Sequence, residues 1–125
     1  MAADRAQLLA QDYARNARDL LAESDRKFAS RKHLSASEMI WQATAQAIMA
    51  VAVHRGWHCD GTRLSLRNTI EQLAEDEGDS LISLKYVYAE NFRDNAKLDF
   101  MEYRELAYDS AKARDFIRCL LAKAC

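Results

Sequence analysis

The stretch from Ser35 to Gly56, near the middle of the chain, consists almost entirely of apolar or small residues. A helix on the surface of a globular protein keeps one polar face, whereas a helix that is apolar on several sides lies buried among its neighbours. Ser35 and Glu38 have the spacing of a capping box, and Gly56 stands where a left-handed residue ends a helix. The sequence therefore predicts one capped helix at the centre of a helical bundle.

Apolar residues recur along this central helix at spacings of three and four, so they share one face. The predicted core stripe contains Ile40, Ala43, Ala47, Ile48 and Val51. Alanines also form a smooth strip that lets a neighbouring helix approach closely, at Ala36, Ala43, Ala47 and Ala50. Both patterns place this helix in the interior.

A polar seam runs along the same helix, because Glu38, Gln42 and Gln46 follow each other at intervals of four. The seam is either a solvent-facing edge or a surface that meets a dimer partner or a small cleft, so Glu38 and Gln42 are candidate binding residues. Trp41 stands beside them and is a third candidate. We interpret Trp41 first as an anchor of the core or of an interface, since an indole ring buries a large area.

The chain has 125 residues, with no proline and only three glycines. Because proline and glycine interrupt helices, this composition favours long helices joined by short turns and argues against an all-β fold. Around the central helix we predict four others, over about 4–29, 64–77 and 80–95, and from a cap at Asp99 to about 122. The predicted fold is an all-α, five-helix up-and-down bundle with a four-helix-bundle core, and residues 1–125 form one domain.

Three of the flanking helices show an apolar face at helical spacing. The residues predicted to point into the core are Leu66, Ile70, Leu73 and Ala74 in the third helix, Leu81, Leu84, Tyr88 and Phe92 in the fourth, and Leu106, Ala113, Ile117, Leu120 and Leu121 in the fifth. Gly78 is expected to end the third helix, and Asp79 or Ser80 to cap the fourth. Asp99 with Glu102 is expected to cap the fifth.

The balance of charges restricts the class of partner. The formal net charge is −1, so no whole-molecule field attracts nucleic acid or a membrane. No apolar run reaches membrane-spanning length, and the N-terminus lacks the apolar core of a signal peptide. The three cysteines, Cys59, Cys119 and Cys125, show no Cys-x-x-Cys spacing and are interpreted as reduced thiols. We expect a soluble cytoplasmic protein.

His54 and His58 stand four apart and are followed by Cys59 and Asp60, all residue types that bind zinc. Gly56 is expected to end the helix between the two imidazoles, and no second cluster supplies the remaining ligands. We therefore expect no metal and no cofactor, and interpret the histidines as a helix-end residue and a loop residue. A metal-binding sensor that uses His54 and His58 remains an alternative.

Five basic residues form an elbow between the first two helices, namely Arg26, Lys27, Arg31, Lys32 and His33. Such an elbow could contact phosphates, or it could be a solvated cluster that complements the dipole of the first helix. The second interpretation is favoured, because Phe28 is the only aromatic residue within the elbow.

A second polar patch lies where the fourth helix passes towards the fifth. Asn91, Arg93 and Lys97 are its candidate binding residues, for an anion or a partner surface. The alternative is capping and solvation of the helix end. The sequence contains no Gly-rich phosphate loop, no Gly-x-Ser-x-Gly elbow and no His-Glu-x-x-His, so nothing in it requires catalysis.

Several motifs in this order resemble a known superfamily. They are Leu-Leu-Ala-Glu-Ser-Asp-Arg from Leu20, Ser-Ala-Ser-Glu-Met-Ile-Trp-Gln-Ala from Ser35, Ala-Val-Ala-Val-His-Arg-Gly-Trp ending at Trp57, Leu-Ala-Glu-Asp-Glu-Gly-Asp ending at Asp79, and Tyr-Ala-Glu-Asn-Phe ending at Phe92. Together they are similar to small stand-alone HEPN-like proteins of the PaREP-type branch, over residues 20–121. The resemblance implies an up-and-down bundle that commonly forms a dimer. Its members include ribonucleases, toxin components and non-catalytic binding modules.

Catalytic members of that superfamily carry an arginine, four to six intervening residues and a histidine near a late helix. Arg93 lies in the corresponding region, but no histidine follows His58. Arg26 and His33 have the spacing, but they fall between the first two helices. The resemblance thus implies a non-catalytic homodimer that acts as a protein-interaction or nucleotide/RNA-associated module. A divergent ribonuclease or toxin component that uses Arg93 with Asn91 or Lys97 is the enzymatic alternative.

Overall fold

The computed structural model describes residues 2–124, with side chains from residue 4 onwards. The helices are α1 (Ala2–Ala29), α2 (His33–Arg55), α3 (Arg63–Glu77), α4 (Leu81–Leu98) and α5 (Tyr103–Lys123). No strand occurs within residues 2–124, so the predicted all-α five-helix bundle is confirmed. Cys125, one of the predicted reduced thiols, lies outside the described residues.

Helix α2 is the centre of the bundle, because it packs against each of the four other helices. Every residue of its predicted stripe is buried, and so is every residue of its alanine strip. The inner faces predicted for α3 and α5 are buried as well. Small side chains on α2 let α1 lie close along it, since alanine places little volume between two helix axes.

The start of α2 differs from the prediction. The helix begins at His33, two residues before Ser35, and its first turn has no side-chain cap. Glu38 instead accepts a hydrogen bond from Gln42. The cause lies in the preceding turn, where Arg31 adopts a left-handed conformation (φ 61°) and the Lys32 N–H bonds to the Lys27 carbonyl. This arrangement closes α1 and turns the chain directly into α2.

Two glycines end helices as predicted. Gly56 closes α2 at φ 75°, and Gly78 closes α3 at φ 64°. In both, the N–H of the next residue bonds to a carbonyl five positions earlier, as in a Schellman motif. Open space surrounds each glycine, so a larger residue would be strained by the backbone conformation and not by a clash.

The boundary between α4 and α5 also differs from the prediction. Helix α4 continues to Leu98, and Asp99 closes it in a left-handed conformation (φ 48°) instead of capping α5. The reciprocal box that starts α5 is formed by Glu102 and Glu105. At the other end of α4, Ser80 is the N-cap residue, but its side chain makes no capping hydrogen bond. The Asp79 carboxylate instead accepts from the Leu81 N–H.

The buried face of α4 is not the predicted one. Leu81 and Leu84 are 54% and 56% exposed, and of the predicted stripe only Phe92 is fully buried. The residues that enter the core are Ile82, Tyr86, Ala89 and Phe92. Helix α4 thus carries two apolar stripes at helical spacing. The neighbouring helices cover the stripe that begins at Ile82 and leave the stripe that begins at Leu81 exposed. The prediction for Leu81, Leu84 and Tyr88 was therefore wrong.

A buried polar network fixes the far end of α4 against α2. The fully buried Asn95 donates to the Ser37 hydroxyl (3.0 Å) and accepts from the Met101 N–H (2.8 Å). Ser37 in turn donates to the His33 carbonyl. Because each polar atom has a partner, the network joins α2, α4 and the link to α5 without an unsatisfied group.

No helix within residues 2–124 combines the length with the apolar character that crossing a bilayer requires.

Candidate functional site

Two predicted site residues, Trp41 and Arg93, meet between α2 and α4. The Arg93 guanidinium carbon lies 6.0 Å from the centroid of the Trp41 ring. The centroid of the buried Tyr86 ring lies 6.1 Å from the same Trp41 centroid. Trp41 is partly buried and packs against the main core. It therefore anchors α4 on α2 while its outer face holds a cation.

The polar seam of α2 lies at the surface of the subunit. Gln42 is exposed and donates to Glu38 (3.0 Å), and Gln46 accepts from Asn16 of α1 (3.2 Å). The first hydrogen bond is local to α2, the second joins α1 to α2, and both are solvent-accessible. Gln46 lines an open cavity of about 540 Å³ together with Asn16, Leu20 and Glu23 of α1. One end of the seam therefore lies at a cavity, whereas Gln42 is exposed near Trp41.

The other predicted residues of α4 do not assemble around Arg93. Arg93 makes a long contact with its neighbour Asp94 (3.4 Å), in addition to the Trp41 ring. Within the described chain, no hydrogen bond or ion pair joins Asn91 or Lys97 to another side chain. The patch is therefore not preorganised as a catalytic or anion-binding group.

A charged cluster that the sequence analysis missed lies on the other side of Tyr86. Glu90 is 7% exposed and accepts from Arg67 (2.7 Å) and Arg63 (3.2 Å) of α3. The hydrogen bond with Glu90 raises the pKa of Arg67. Arg63 and Arg67 stand four apart and share one face of α3, which was the only sequence signal for this charged cluster.

Tyr86 is buried next to this charged cluster. Its hydroxyl has no hydrogen-bond partner, and the residue is 2% exposed. Burial, with a further contribution from the nearby Glu90 charge, raises the pKa of Tyr86 to about 12. The phenol therefore stays protonated over the physiological range, so it acts as a packing group and not as a base.

The two predicted histidine candidates are exposed and lie on either side of the break at Gly56. Asp60, next in the loop, accepts from the N–H and the hydroxyl of Thr62, which lowers its pKa. Asp60 is therefore engaged at the start of α3. Across residues 2–124, no group of three or more His, Cys, Asp or Glu side chains is placed to hold a metal ion.

The basic elbow opens on a pocket of about 450 Å³ lined by Phe28, Arg31, His33 and Tyr103. Tyr103 is 82% exposed and comes from the first turn of α5. His33 is hydrogen-bonded to Asp99, with 2.9 Å between Nε2 and Oδ1. The fold thus brings an aromatic ring and a carboxylate from the α4–α5 link to the elbow, which no local sequence signal indicated.

The exposed stripe of α4 forms one wall of a second cavity, the α4–α5 groove, of about 330 Å³. Its floor and walls are mainly apolar, and its rim is charged. The lining residues are Leu81, Leu84, Lys85, Tyr88, Lys112, Asp115, Phe116 and Cys119. The Lys112 ammonium lies over two tyrosine rings, 4.6 Å from the Tyr88 centroid and 4.3 Å from the Tyr108 centroid.

Comparisons of the chain with models of protein families, with curated proteins and with solved structures find no match. The HEPN-like resemblance therefore stays a prediction. Two of the cavities, at the basic elbow and between α4 and α5, bring side chains from different helices together.

Proposed function

We propose that this protein is a non-catalytic, HEPN-like helical bundle that acts as a dimeric interaction module, with the α4–α5 groove as its homodimer interface. The observation that carries the proposal is the exposure of Leu81 and Leu84, two leucines that the α4 sequence pattern assigns to a packed face. Apolar side chains gathered beside a groove favour contact with another apolar surface, because water leaves both surfaces on association.

The spacing of these residues indicates a helix as the occupant. Leu81, Leu84 and Tyr88 follow at intervals of three and four, the spacing of a seam between two packed helices. Helix α4 has 18 residues, so it extends over about 27 Å at the usual helical rise. The same three residues on the α4 helix of a second copy match this seam in spacing.

The charges on the rim support a second copy of the same chain. A two-fold interface requires that one patch be complementary to itself, with each residue facing a different residue of the partner. The rim carries Lys85 and Lys112 together with Asp115. Pairing two such rims would let the Asp115 carboxylate of each copy face a lysine of the other, around an apolar centre.

Light scattering coupled to size exclusion tests this proposal with matched leucine variants. We expect the natural chain to have twice the mass of one chain at high micromolar concentration, and Leu84→Glu to have the mass of a single chain, because a carboxylate would be desolvated in the groove. Leu64→Glu is the control, since Leu64 is 69% exposed on α3, outside the groove. This control should remain a dimer.

Circular dichroism of each variant shows whether the fold is retained. A natural chain that stays monomeric at high micromolar concentration would refute the homodimer. Loss of the dimer in both Leu64→Glu and Leu84→Glu would refute the groove as its interface.

A further inference from the structure

We propose that a cavity between α1 and α5, the α1–α5 cavity, binds a small aliphatic carboxylate, with the carboxylate on Arg18 and Arg118 and the chain against Leu21 and Leu121. The cavity has a volume of about 450 Å³, within the range of roughly 300–1,000 Å³ that small-ligand sites occupy. Each helix contributes four lining residues, and none of them lines the α4–α5 groove.

The deep part of the α1–α5 cavity is aliphatic. Leu21 and Leu121 are buried, and Ala22 and Ala122 beside them line the cavity at exposed positions. None of the lining residues that the structure describes is aromatic, so the cavity has no stacking surface for a planar ring. Leucine and alanine side chains favour contact with a saturated carbon chain, because water leaves both surfaces on binding.

An ion pair closes one end of the cavity. Arg114 of α5 donates to the Asp25 carboxylate of α1. The other lining residues of α1 precede Asp25 and those of α5 follow Arg114, so the two helices run antiparallel along the cavity. Arg18 lies two turns before Asp25, which places roughly 10 Å of helix between Arg18 and the closed end. The aliphatic part lies along this length.

Two arginines beyond the closing pair are available to a ligand. Arg18 is exposed, and within the described residues its side chain forms no hydrogen bond or ion pair. Arg118 contacts Asp115 at 3.6 Å, but these side chains are 66% and 77% exposed, so their pairing contributes little to stability. A carboxylate between the helices can therefore bond to Arg18 and Arg118 without breaking a buried ion pair.

The combination of arginines and leucines indicates the class of ligand. The described lining carries three arginines and one carboxylate, so its formal charge is positive. A guanidinium group presents its N–H donors in a fork that matches the two oxygens of a carboxylate. An inorganic anion would leave the leucines without a partner, and an uncharged aliphatic molecule would leave the arginines without one. An aliphatic carboxylate satisfies both parts of the cavity.

Calorimetry with straight-chain carboxylates tests the proposal, from acetate through butanoate and hexanoate to octanoate. We expect the affinity to rise by up to roughly fourfold for each methylene, the value for complete burial, until the chain reaches the pair of Asp25 and Arg114. Hexanol, which lacks the carboxylate, and inorganic phosphate, which lacks the chain, should both bind more weakly than hexanoate. Affinity that does not depend on chain length, or no binding of octanoate at millimolar concentration, would overturn the proposal.

Arg18→Gln tests the cation, with Arg5→Gln as its control. Arg5 is an exposed arginine near the start of α1 and does not line the cavity. We expect Arg18→Gln to weaken octanoate binding by about tenfold, the lower end for a hydrogen bond to a charged group, because the cavity is open to water. Arg5→Gln should bind as the natural chain does. Equal affinities for the two variants would contradict the proposal.

Ala22→Glu tests where the ligand lies. The new carboxylate stands four residues after Arg18 on the same helix face, so it competes with the ligand for this arginine. Ala111→Glu is the control, since Ala111 is exposed on α5 outside the cavity. We expect Ala22→Glu to abolish octanoate binding and Ala111→Glu to retain it, with the same circular dichroism for both. Retention of binding in Ala22→Glu would place octanoate elsewhere and refute the site.

A short polyglutamate peptide distinguishes a small ligand from an acidic segment of another protein. Binding of this peptide without binding of octanoate would overturn the proposal. The Leu84→Glu variant separates the proposal from the homodimer, because the α1–α5 cavity lies within one subunit. This variant should bind octanoate with unchanged affinity per chain. If octanoate binding fails while the natural chain still dimerises, only the proposal for the cavity is refuted.

Discussion

Helices α2 and α4 both carry more apolar residues than one buried face needs, but α2 contacts four other helices and α4 only three. Helix α2 contacts the four other helices, and its predicted stripe is entirely buried. Helix α4 contacts α2, α3 and α5, so one apolar stripe faces the core while Leu81 and Leu84 face outwards. Spacing along a helix therefore defines which residues share a face, whereas the number and position of neighbours decide which face is buried.

The largest expected effect is a difference in the free energy of unfolding between substitutions in the two stripes of α4. Phe92→Ala should destabilise the protein by roughly 3–5 kcal/mol, because it leaves a cavity in the core. Leu84→Ala, measured at a concentration that keeps the chain monomeric, should change the free energy of unfolding by less than about 0.5 kcal/mol. Urea unfolding followed by circular dichroism measures both. Equal losses would mean that the two stripes are buried alike.

A second comparison concerns two asparagines of α4. Asn95→Ala should reduce the free energy of unfolding by roughly 2–3 kcal/mol, since it removes the bonds to Ser37 and Met101 in a buried site. Asn91→Ala is the control, because the side chain of Asn91 forms no hydrogen bond within the described residues. We expect a change below about 0.5 kcal/mol for it. Urea unfolding measures both variants. If Asn91→Ala lost as much unfolding free energy as Asn95→Ala or more, the role of Asn95 in the buried network would be contradicted.

The helices and most of the core could be predicted from the sequence, because capping glycines and helical periodicity are local signals. Gly56, Gly78 and the stripe from Ile40 to Val51 are examples. The face of α4 could not be predicted, since two apolar stripes compete and tertiary contacts decide between them. The elbow pocket could not be predicted either, because Tyr103 and Phe28 are distant in sequence and meet only through the packing of α5 against the rest of the bundle.

Tyr86 gives a smaller effect that depends on pH. Its pKa is raised by burial to about 12, whereas an unfolded tyrosine titrates near 10. The unfolded chain therefore loses this proton first as pH rises, so the stability contribution is complete below about pH 10 and decreases towards about pH 12.

Tyr86→Phe isolates this contribution. At neutral pH the variant should equal the natural chain or exceed it by up to about 1 kcal/mol, because it removes a buried hydroxyl without a partner. Above about pH 10 it should lose less stability than the natural chain does. Unfolding curves at neutral and alkaline pH measure the difference. Parallel losses in the two proteins would contradict the burial of this hydroxyl.

The smallest expected effect concerns catalysis. Arg93 contacts Trp41 and Asp94. His33, at the start of α2, is hydrogen-bonded to Asp99 at the end of α4, so it does not face Arg93 in these contacts. We expect neither the natural chain nor Arg93→Ala to cleave mixed RNA in a gel assay. Cleavage by the natural chain that is lost in Arg93→Ala would support the ribonuclease alternative instead.

We expect a second copy of the chain to bury the outward stripe of α4, which consists of Leu81, Leu84 and Tyr88. Isotope-filtered NMR on a mixture of differently labelled chains tests this contact directly. We predict intermolecular nuclear Overhauser effects between the methyl groups of Leu81 and Leu84 and protons of the partner's α4–α5 groove. A mixed sample that shows no such effects at high micromolar concentration, with the groove signals unchanged on dilution, would contradict a homodimer formed through this groove.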